Sequence, residues 1–245
     1  MKNIFITGGL TGMGQEVAKI YKSLGYNIGI CSFEAPDTVN ADFFTYYQAD
    51  VTDKDALKKA IESFKNTYGS LDIVFANAGI NHPKQSIPDW DRVRKVIDVN
   101  IMGVINTLEP SVKIMKEQGS GQIVTVASVS AFSGLPGMAG YGASKSFVLS
   151  MSETLAIDLK DYGISVTTIA PGFIKTPLIK DNKHKMPFLM EQSDAAKIIV
   201  KAVSQKRALK IFPTPMYFVS SVLKYLPRAI YRKFMSSDIL GLRAH

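Results

Sequence analysis

Cysteine, tryptophan and histidine are scarce in this chain of 245 residues, with one, one and three copies. The lone thiol, Cys31, excludes an intrachain disulfide framework and a structural zinc site built on several thiolates. Cys31 falls within a strand-like run and reads as a small core hydrophobe. His82 and His184 have no cysteine or carboxylate partners at metal-ligand spacing, so no metal is expected at either. A G-x-S-x-G nucleophile elbow is missing, which argues against a Ser-His-Asp hydrolase. Long apolar runs are missing too. The opening Met1-Lys2-Asn3-Ile4-Phe5-Ile6-Thr7 has an apolar run of three residues before glycines begin, too short for the core of a signal peptide. The richest later stretch, Met216 to Leu226, is broken by Lys224 and followed by Pro227 and Arg228, short of the ~20 apolar residues of a spanning helix. A soluble cytoplasmic protein is the expectation.

What is present is ordinary globular composition, 46% hydrophobic and 20% charged, which argues against disorder, a collagen repeat or a coiled coil. The net charge of +8 is unevenly placed. Residues 1–174 carry 15 basic and 17 acidic side chains, whereas residues 175–245 carry 14 and 4, so a body of net −2 precedes a segment of net +10. With the basic residues confined to the final segments and no recognised module, nucleic acid is not an expected partner.

Short β-branched runs alternate with segments of helical period, the pattern of βαβ units on a parallel sheet. Strands are expected at Asn3–Thr7, Asn27–Ser32, Phe44–Gln48, Leu71–Ala76, Gln122–Ala127, Ser165–Ala170 and Ala208–Phe212. Helices are expected near 13–24, 53–67, 89–117, 141–161 and 193–205. Consecutive apolar residues such as Ile4-Phe5-Ile6 and Ile73-Val74-Phe75 suit strands covered on both faces. The fold class is α/β, a Rossmann-like doubly wound, mainly parallel seven-stranded sheet with helices on both faces. Residues 1–212 form a dinucleotide-binding and catalytic domain with a lid at about 173–192, and 213–245 form a basic amphipathic extension.

The first strand runs into Thr7-Gly8-Gly9-Leu10-Thr11-Gly12-Met13-Gly14 and then a helix. Glycines at 8, 12 and 14 permit a tight turn, let backbone amides approach a phosphate and let helix pack against strand, while the helix N-terminus offers free amides to a pyrophosphate. Tyr141 and Lys145 are four apart in a helical segment, so they share one face. A phenol near pKa 10 is a poor proton exchanger at neutral pH. The Lys145 ammonium, together with the positive ring of an oxidised dinucleotide, is expected to depress that value. Ser128 follows the apolar strand Ile123-Val124-Thr125-Val126-Ala127, and a hydroxyl at a strand's carboxyl end points into the ligand crevice, where it can stabilise charge on a substrate oxygen.

These motifs, in this order, resemble the short-chain dehydrogenase/reductase family over about residues 3–212. The resemblance implies a nicotinamide cofactor cradled by Gly8, Thr11, Gly12, Met13 and Gly14. It pairs Asp50-Val51 with adenine and Asn77-Ala78-Gly79 with the N-A-G motif beside the cofactor. It matches Asn100, Ser128, Tyr141 and Lys145 to the catalytic tetrad, with Tyr141 and Lys145 also touching the cofactor. Asn100 would hold a relay water through its backbone carbonyl. Pro171, Gly172, Ile174 and Thr176 belong to the P-G-x-x-x-T nicotinamide loop. Ser130 is a near neighbour, but the thirteen residues between Ser128 and Tyr141 favour Ser128.

At the end of the second strand an acidic residue would select NAD and an arginine NADP. This chain has Ser32 and Phe33 there, with Glu34 on Ser32's side if the strand continues, so NAD or NADP remains open. The implied activity is interconversion of a carbonyl and a secondary alcohol. The apolar lid residues Leu178, Ile179, Met186, Phe188 and Met190 favour a hydrophobic small-molecule substrate. A catalytically idle dinucleotide-binding sensor is the alternative, disfavoured by the intact Ser128, Tyr141 and Lys145. A homo-oligomer is expected, with a dimer favoured. In the tail, Val219, Val222, Leu223, Leu226, Ile230, Tyr231 and Phe234 keep a helical stripe among Lys224, Arg228, Arg232 and Lys233, which suits either a peripheral membrane contact or docking on the protein.

Overall fold

The computed structural model describes residues 1–35, 43–82, 87–179 and 186–236. Seven strands alternate with helices: β1 (Asn3–Thr7), α1 (Gly12–Ser23), β2 (Asn27–Ser32), β3 (Thr45–Gln48), α2 (Lys54–Tyr68) and β4 (Ile73–Ala76) come first. There follow α3 (Trp90–Ile97), α4 (Gly103–Gln118), β5 (Gly121–Val126), α5 (Ala139–Asp158), β6 (Ile164–Pro171), α6 (Gln192–Ser204), β7 (Leu209–Phe212), α7 (Thr214–Tyr225) and α8 (Arg228–Ser236).

The helices begin and end where side-chain chemistry says they should. The Asp53 carboxylate accepts the Asp55 and Ala56 amides at the head of α2, and Gly69, at φ +84°, closes it in a conformation that disfavours other residues. Along α2, Leu57, Ala60, Ile61 and Phe64 recur at the spacing of one helix face and are buried together. Asp89 caps α3 in the same way.

The sheet runs β3-β2-β1-β4-β5-β6-β7, and its neighbouring strands are parallel throughout. Because alternate side chains point to opposite faces, the sheet feeds two cores. Phe5, Val74, Ile123 and Val166 meet α2, α4 and α5 on one face. Ile4, Ile6, Phe75, Val124 and Ile169 meet α1 and α6 on the other. The chain leaves β1 toward β2 on one side and later returns to β4 on the other, opening a crevice at the carboxyl ends of β1 and β4, where ligands bind in such sheets.

Three local expectations are corrected. β4 begins at Ile73 and not at Leu71, because the Leu71 N–H and C=O are both taken by the Gln118 side chain, at 2.9 and 3.1 Å. The 89–117 segment is interrupted by a π-helical turn, Asp98–Met102, in which the Gly103 amide reaches back to the Asp98 carbonyl. The described part of the tail is two helices, broken at Leu226 and Pro227, and α7 starts with Pro215 in its first turn, where a missing N–H costs nothing.

In the middle of β2, a side chain at Gly29 would place Cβ 2.6 Å from Phe64 and 2.8 Å from Phe5, whose rings meet edge-on at 5.5 Å. Gly29→Ala is therefore expected to lower unfolding free energy by about 1–3 kcal/mol through overpacking. Urea denaturation checks it. An unchanged midpoint would show that this aromatic pair yields freely.

Candidate active site

The crevice is fastened across the sheet by one pair of residues. The Asn77 amide group donates to the Thr7 and Gly8 carbonyls at 3.0 and 2.9 Å. In return the Thr7 hydroxyl accepts the Asn77 and Ala78 amides at 3.1 and 3.2 Å. The Gly8 amide is tied to the Cys31 carbonyl of β2 at 2.8 Å, so the glycine turn is held from both neighbouring strands. A Cβ on Gly14 would sit 2.5 Å from the Gly8 carbonyl oxygen and 2.7 Å from the Asn77 nitrogen, so the first turn of α1 packs against the loop only because position 14 has no side chain.

The Thr11 side chain makes no capping bond to α1. The helix thus presents its positive end without an internal anion, as a pyrophosphate site requires. On the far side, the Thr176 methyl lies 3.6 Å from the position a Cβ on Gly12 would take. The glycine turn and the loop after β6 therefore face each other. These features fit a dinucleotide: Gly8, Thr11, Gly12, Met13 and Gly14 would hold its phosphates, with Thr176 opposite.

The second strand ends where the sequence placed it. β2 stops at Ser32, and the chain bends through Phe33 and Glu34. The Tyr46 hydroxyl fixes that bend, lying 3.2 Å from the Ser32 carbonyl and 2.7 Å from that of Glu34. Phe33 is 69% exposed. Asp50 accepts the Thr52 amide at 2.9 Å, and Val51 is buried against Gly103.

The four tetrad positions meet at the carboxyl ends of β4 and β5. Asn100 lies fully buried inside the π-helical turn, a device that recurs at functional sites. Its side chain accepts the Ile80 amide at 2.8 Å and donates to the Ile80 carbonyl and the Ser144 hydroxyl, at 3.0 and 3.1 Å. It therefore welds the loop after β4 to α5. A Cβ on Gly79 would approach Asn100 Oδ1 to 3.2 Å and Lys145 Nζ to 3.5 Å, so this glycine leaves room for both polar groups. Ser128 accepts the Ser130 amide at 3.2 Å and its hydroxyl bonds the Tyr141 phenol. The Ser130 hydroxyl is buried with no hydrogen-bond partner among the described residues.

Within the chain itself, the ionisation of Tyr141 and Lys145 is set by burial. Burial raises the Tyr141 phenol to about 12, with the Ser128 hydrogen bond opposing the rise. Lys145, 4% exposed, is pushed down to about 8 by burial. The Lys145 ammonium donates to the Val126 carbonyl at 2.8 Å and lies 5.7 Å from the centre of the Tyr141 ring. At neutral pH it stays mainly charged, close enough to its midpoint to exchange a proton readily.

Tyr141 lies on the wall of a cleft of about 310 Å³. Val93, Val96, Leu135 and Met138 give the cleft its apolar lining, and Asn81, His82 and Arg92 contribute polar groups. The sequence reading passed over Asn81 and Arg92 and weighed His82 only as a metal ligand. Asn81 and His82 follow directly on Asn77-Ala78-Gly79-Ile80, and Arg92 lies three residues after the cap of α3, which is the signal that could have found them. The His82 Nε2 is buried with no hydrogen-bond partner among the described residues. Burial lowers the pKa of His82, and the Arg92 and Lys95 cations lower it further, so the ring stays neutral.

The loop after β6 divides in its roles. Pro171 ends the strand, and the Gly172 amide donates to the Phe212 carbonyl at 2.7 Å. A Cβ on Gly172 would meet Met216 at 3.1 Å and Pro213 at 3.2 Å, so the start of α7 packs against the loop where Gly172 has no side chain. Ile174 is buried and pairs with Met190, closing the base of the lid. Leu178 and Phe188 are exposed. Lid residues 180–185, His184 among them, lie outside the described residues, as does the tail from 237.

A family model described as short chain dehydrogenase matches residues 2–187. A Myxococcus xanthus (strain DK1622) protein described as an uncharacterized oxidoreductase is 33% identical over 240 residues, 94% of this chain and 94% of its own. The 3-oxoacyl-[acyl-carrier-protein] reductase FabG of Thermotoga maritima is 34% identical over 196 residues, 75% of this chain and 78% of that one. Among solved structures, the 3-ketoacyl-(acyl-carrier-protein) reductase from Brucella melitensis complexed with NADH is 26% identical with a TM-score of 0.79, covering 86% of this chain and 96% of its own. ElxO with NADP bound gives 26% and 0.77 over the same shares.

The Lys145 Cε resonance, assigned by its loss in Lys145→Met, should titrate in carbon-13 NMR with a midpoint near 8, against ~10.4 for solvated lysines. A midpoint above ~10 would mean that the ammonium is hydrated and the buried hydrogen bond to Val126 is not made in solution.

Proposed function

The chain belongs to the short-chain dehydrogenase family of oxidoreductases, and on that premise we propose that it interconverts a carbonyl and a secondary alcohol with NAD or NADP, using Tyr141 as the acid/base. The observation that carries the reading is the meeting of Ser128 and Lys145 behind Tyr141, which lines the cleft, in a chain whose glycine turn fits a dinucleotide. When bound, the nicotinamide supplies the hydride to the carbonyl carbon or takes it from the alcohol carbon. Tyr141 gives its proton to the substrate oxygen in reduction and takes one back in oxidation. Ser128, already bonded to that phenol, donates to the same oxygen as negative charge grows there. Burial keeps Tyr141 protonated at rest, the state that reduction needs. Lys145, with its midpoint near 8, returns a proton after each turnover, and Asn100 positions the helix that carries both.

The apolar walls formed by Val93, Val96, Leu135 and Met138 favour a hydrophobic substrate body, with Asn81, His82 and Arg92 available to a polar end. For assembly, the reading is a dimer through α5. Its outward row of Ala143, Phe147, Ser150, Thr154 and Ile157 is exposed and uncharged, and a second copy would cover it.

Tyr141→Phe should lower kcat by at least about a hundredfold, in the range of one lost general acid, while NADH or NADPH still binds by fluorescence titration. Undiminished turnover would remove Tyr141 from the chemistry. For the cofactor, Tyr46 holds the bend that carries Glu34, and that carboxylate would oppose a 2′-phosphate. Glu34→Ala should raise the NADP(H)/NAD(H) ratio of kcat/KM about fivefold to tenfold. An unchanged ratio would show that Glu34 does not face the ribose.

A further inference from the structure

The two tail helices dock on the body by few residues and leave much apolar surface outside. Met216, Tyr231 and Met235 are buried, and Leu223 and Leu226 are half-buried. On the opposite side of α7, Phe218, Val222 and Tyr225 follow one another at i, i+4 and i+7 and are 61%, 62% and 79% exposed. Ile230 of α8 adds to the exposed apolar surface at 56%. Three exposed apolar residues at this spacing form a continuous ridge, which a soluble surface seldom presents without a partner.

The charge around the ridge selects the partner. Residues 213–236 carry Lys224, Arg228, Arg232 and Lys233 and no acidic residue. Isologous pairing with a second copy would set two such cationic surfaces against each other, whereas an anionic surface would attract each of them. Tyrosine and phenylalanine rings rimmed by lysine and arginine are the side chains that settle at a lipid headgroup boundary. We infer that the outer face of α7 and α8 is a docking surface for an anionic lipid bilayer.

The position of this face bears on the catalytic cleft. The Tyr231 hydroxyl donates to the Gly134 carbonyl, and Lys224 Nζ lies 5.9 Å from the centre of the Phe132 ring. Gly134 itself lines the cleft, in the loop that leads from Ser128 to Tyr141. A bilayer on α7 and α8 therefore lies beside the catalytic loop, on helices bonded to it. The face is separate from the row on α5 assigned above to a second copy, and its occupation does not depend on the proposed reaction.

The test is cosedimentation of the full chain with vesicles of phosphatidylcholine alone and of phosphatidylcholine containing about one-third phosphatidylglycerol. The expected result is binding to the anionic vesicles, weakening as salt rises, with little binding to the neutral ones. Arg232→Gln should weaken partitioning about fivefold, and Phe218→Glu with Tyr225→Glu at least about tenfold, both without change in the unfolding midpoint, since these side chains are exposed. Failure of the unmodified protein to bind anionic vesicles at low salt would overturn the inference, as would binding that ignores lipid charge and salt. Analytical ultracentrifugation supplies a further decisive outcome: if the Phe218→Glu and Tyr225→Glu variant dissociates an oligomer of the unmodified protein, the ridge is a protein interface and the bilayer reading falls. None of these readouts uses turnover, so they stand or fall apart from the dehydrogenase chemistry.

Discussion

The site depends on the exchange of four hydrogen bonds between Thr7-Gly8 and the segment Asn77-Ala78, across adjacent parallel strands. A crevice at a switch in strand order has no intrinsic width. Here it is set by a side-chain amide that holds the last carbonyl of β1 and the first of the glycine turn, and by a hydroxyl that receives two amides in return. With these groups occupied, Gly8 is committed to one conformation, and Gly14 must pass within contact of the same Asn77 nitrogen. The helix end that faces a phosphate, the loop that leads to Asn100 and the floor beneath Lys145 are all measured from this clamp. Four partly buried hydrogen bonds of about 1 kcal/mol each also stabilise it well beyond the stiffness of an ordinary loop.

The Tyr141–Lys145 pair illustrates how burial and hydrogen bonding divide the work. Both ionisable groups of the pair are driven toward their neutral forms, the phenol upward to about 12 and the ammonium downward to about 8. Each shift has the sign that desolvation demands. The resting protein is therefore set with the proton on Tyr141 and a lysine close to its midpoint. Charge that would favour a phenolate has to arrive with the cofactor, so the residues alone are tuned to donate more than to abstract.

Much of the fold was legible because parallel strands buried on both faces read as unbroken apolar runs, and β1 and β2 end where the sequence placed them. Boundaries failed where a side chain captured backbone groups from a distance, as Gln118 does at Leu71, forty-seven residues away in sequence. The π-helical turn at Asn100 was not legible either, since Asp-Val-Asn-Ile-Met carries no breaker and the shift exists only in which carbonyl each amide chooses. Within the site, the positions of Ser128, Tyr141 and Lys145 followed from spacing along a strand end and a helix face. Their ionisation did not, because it depends on where Nζ points and on how deeply the phenol lies. Gly172 shows the same limit: the sequence marks a glycine, but only the fold says that its neighbour is Met216.

That contact gives the tail a standing of its own in the architecture. The residues backing Gly172 come from the start of α7, so the loop facing the glycine turn is shaped in part by a helix that follows the last strand. The end of the chain cannot then be exchanged as an independent module. Substitutions at Met216 and around Gly172 will be felt jointly, and any change that re-seats α7 alters the wall of the nucleotide crevice from behind. A segment that looks peripheral in sequence is thereby coupled, through the loop after β6, to the glycine turn at the head of α1.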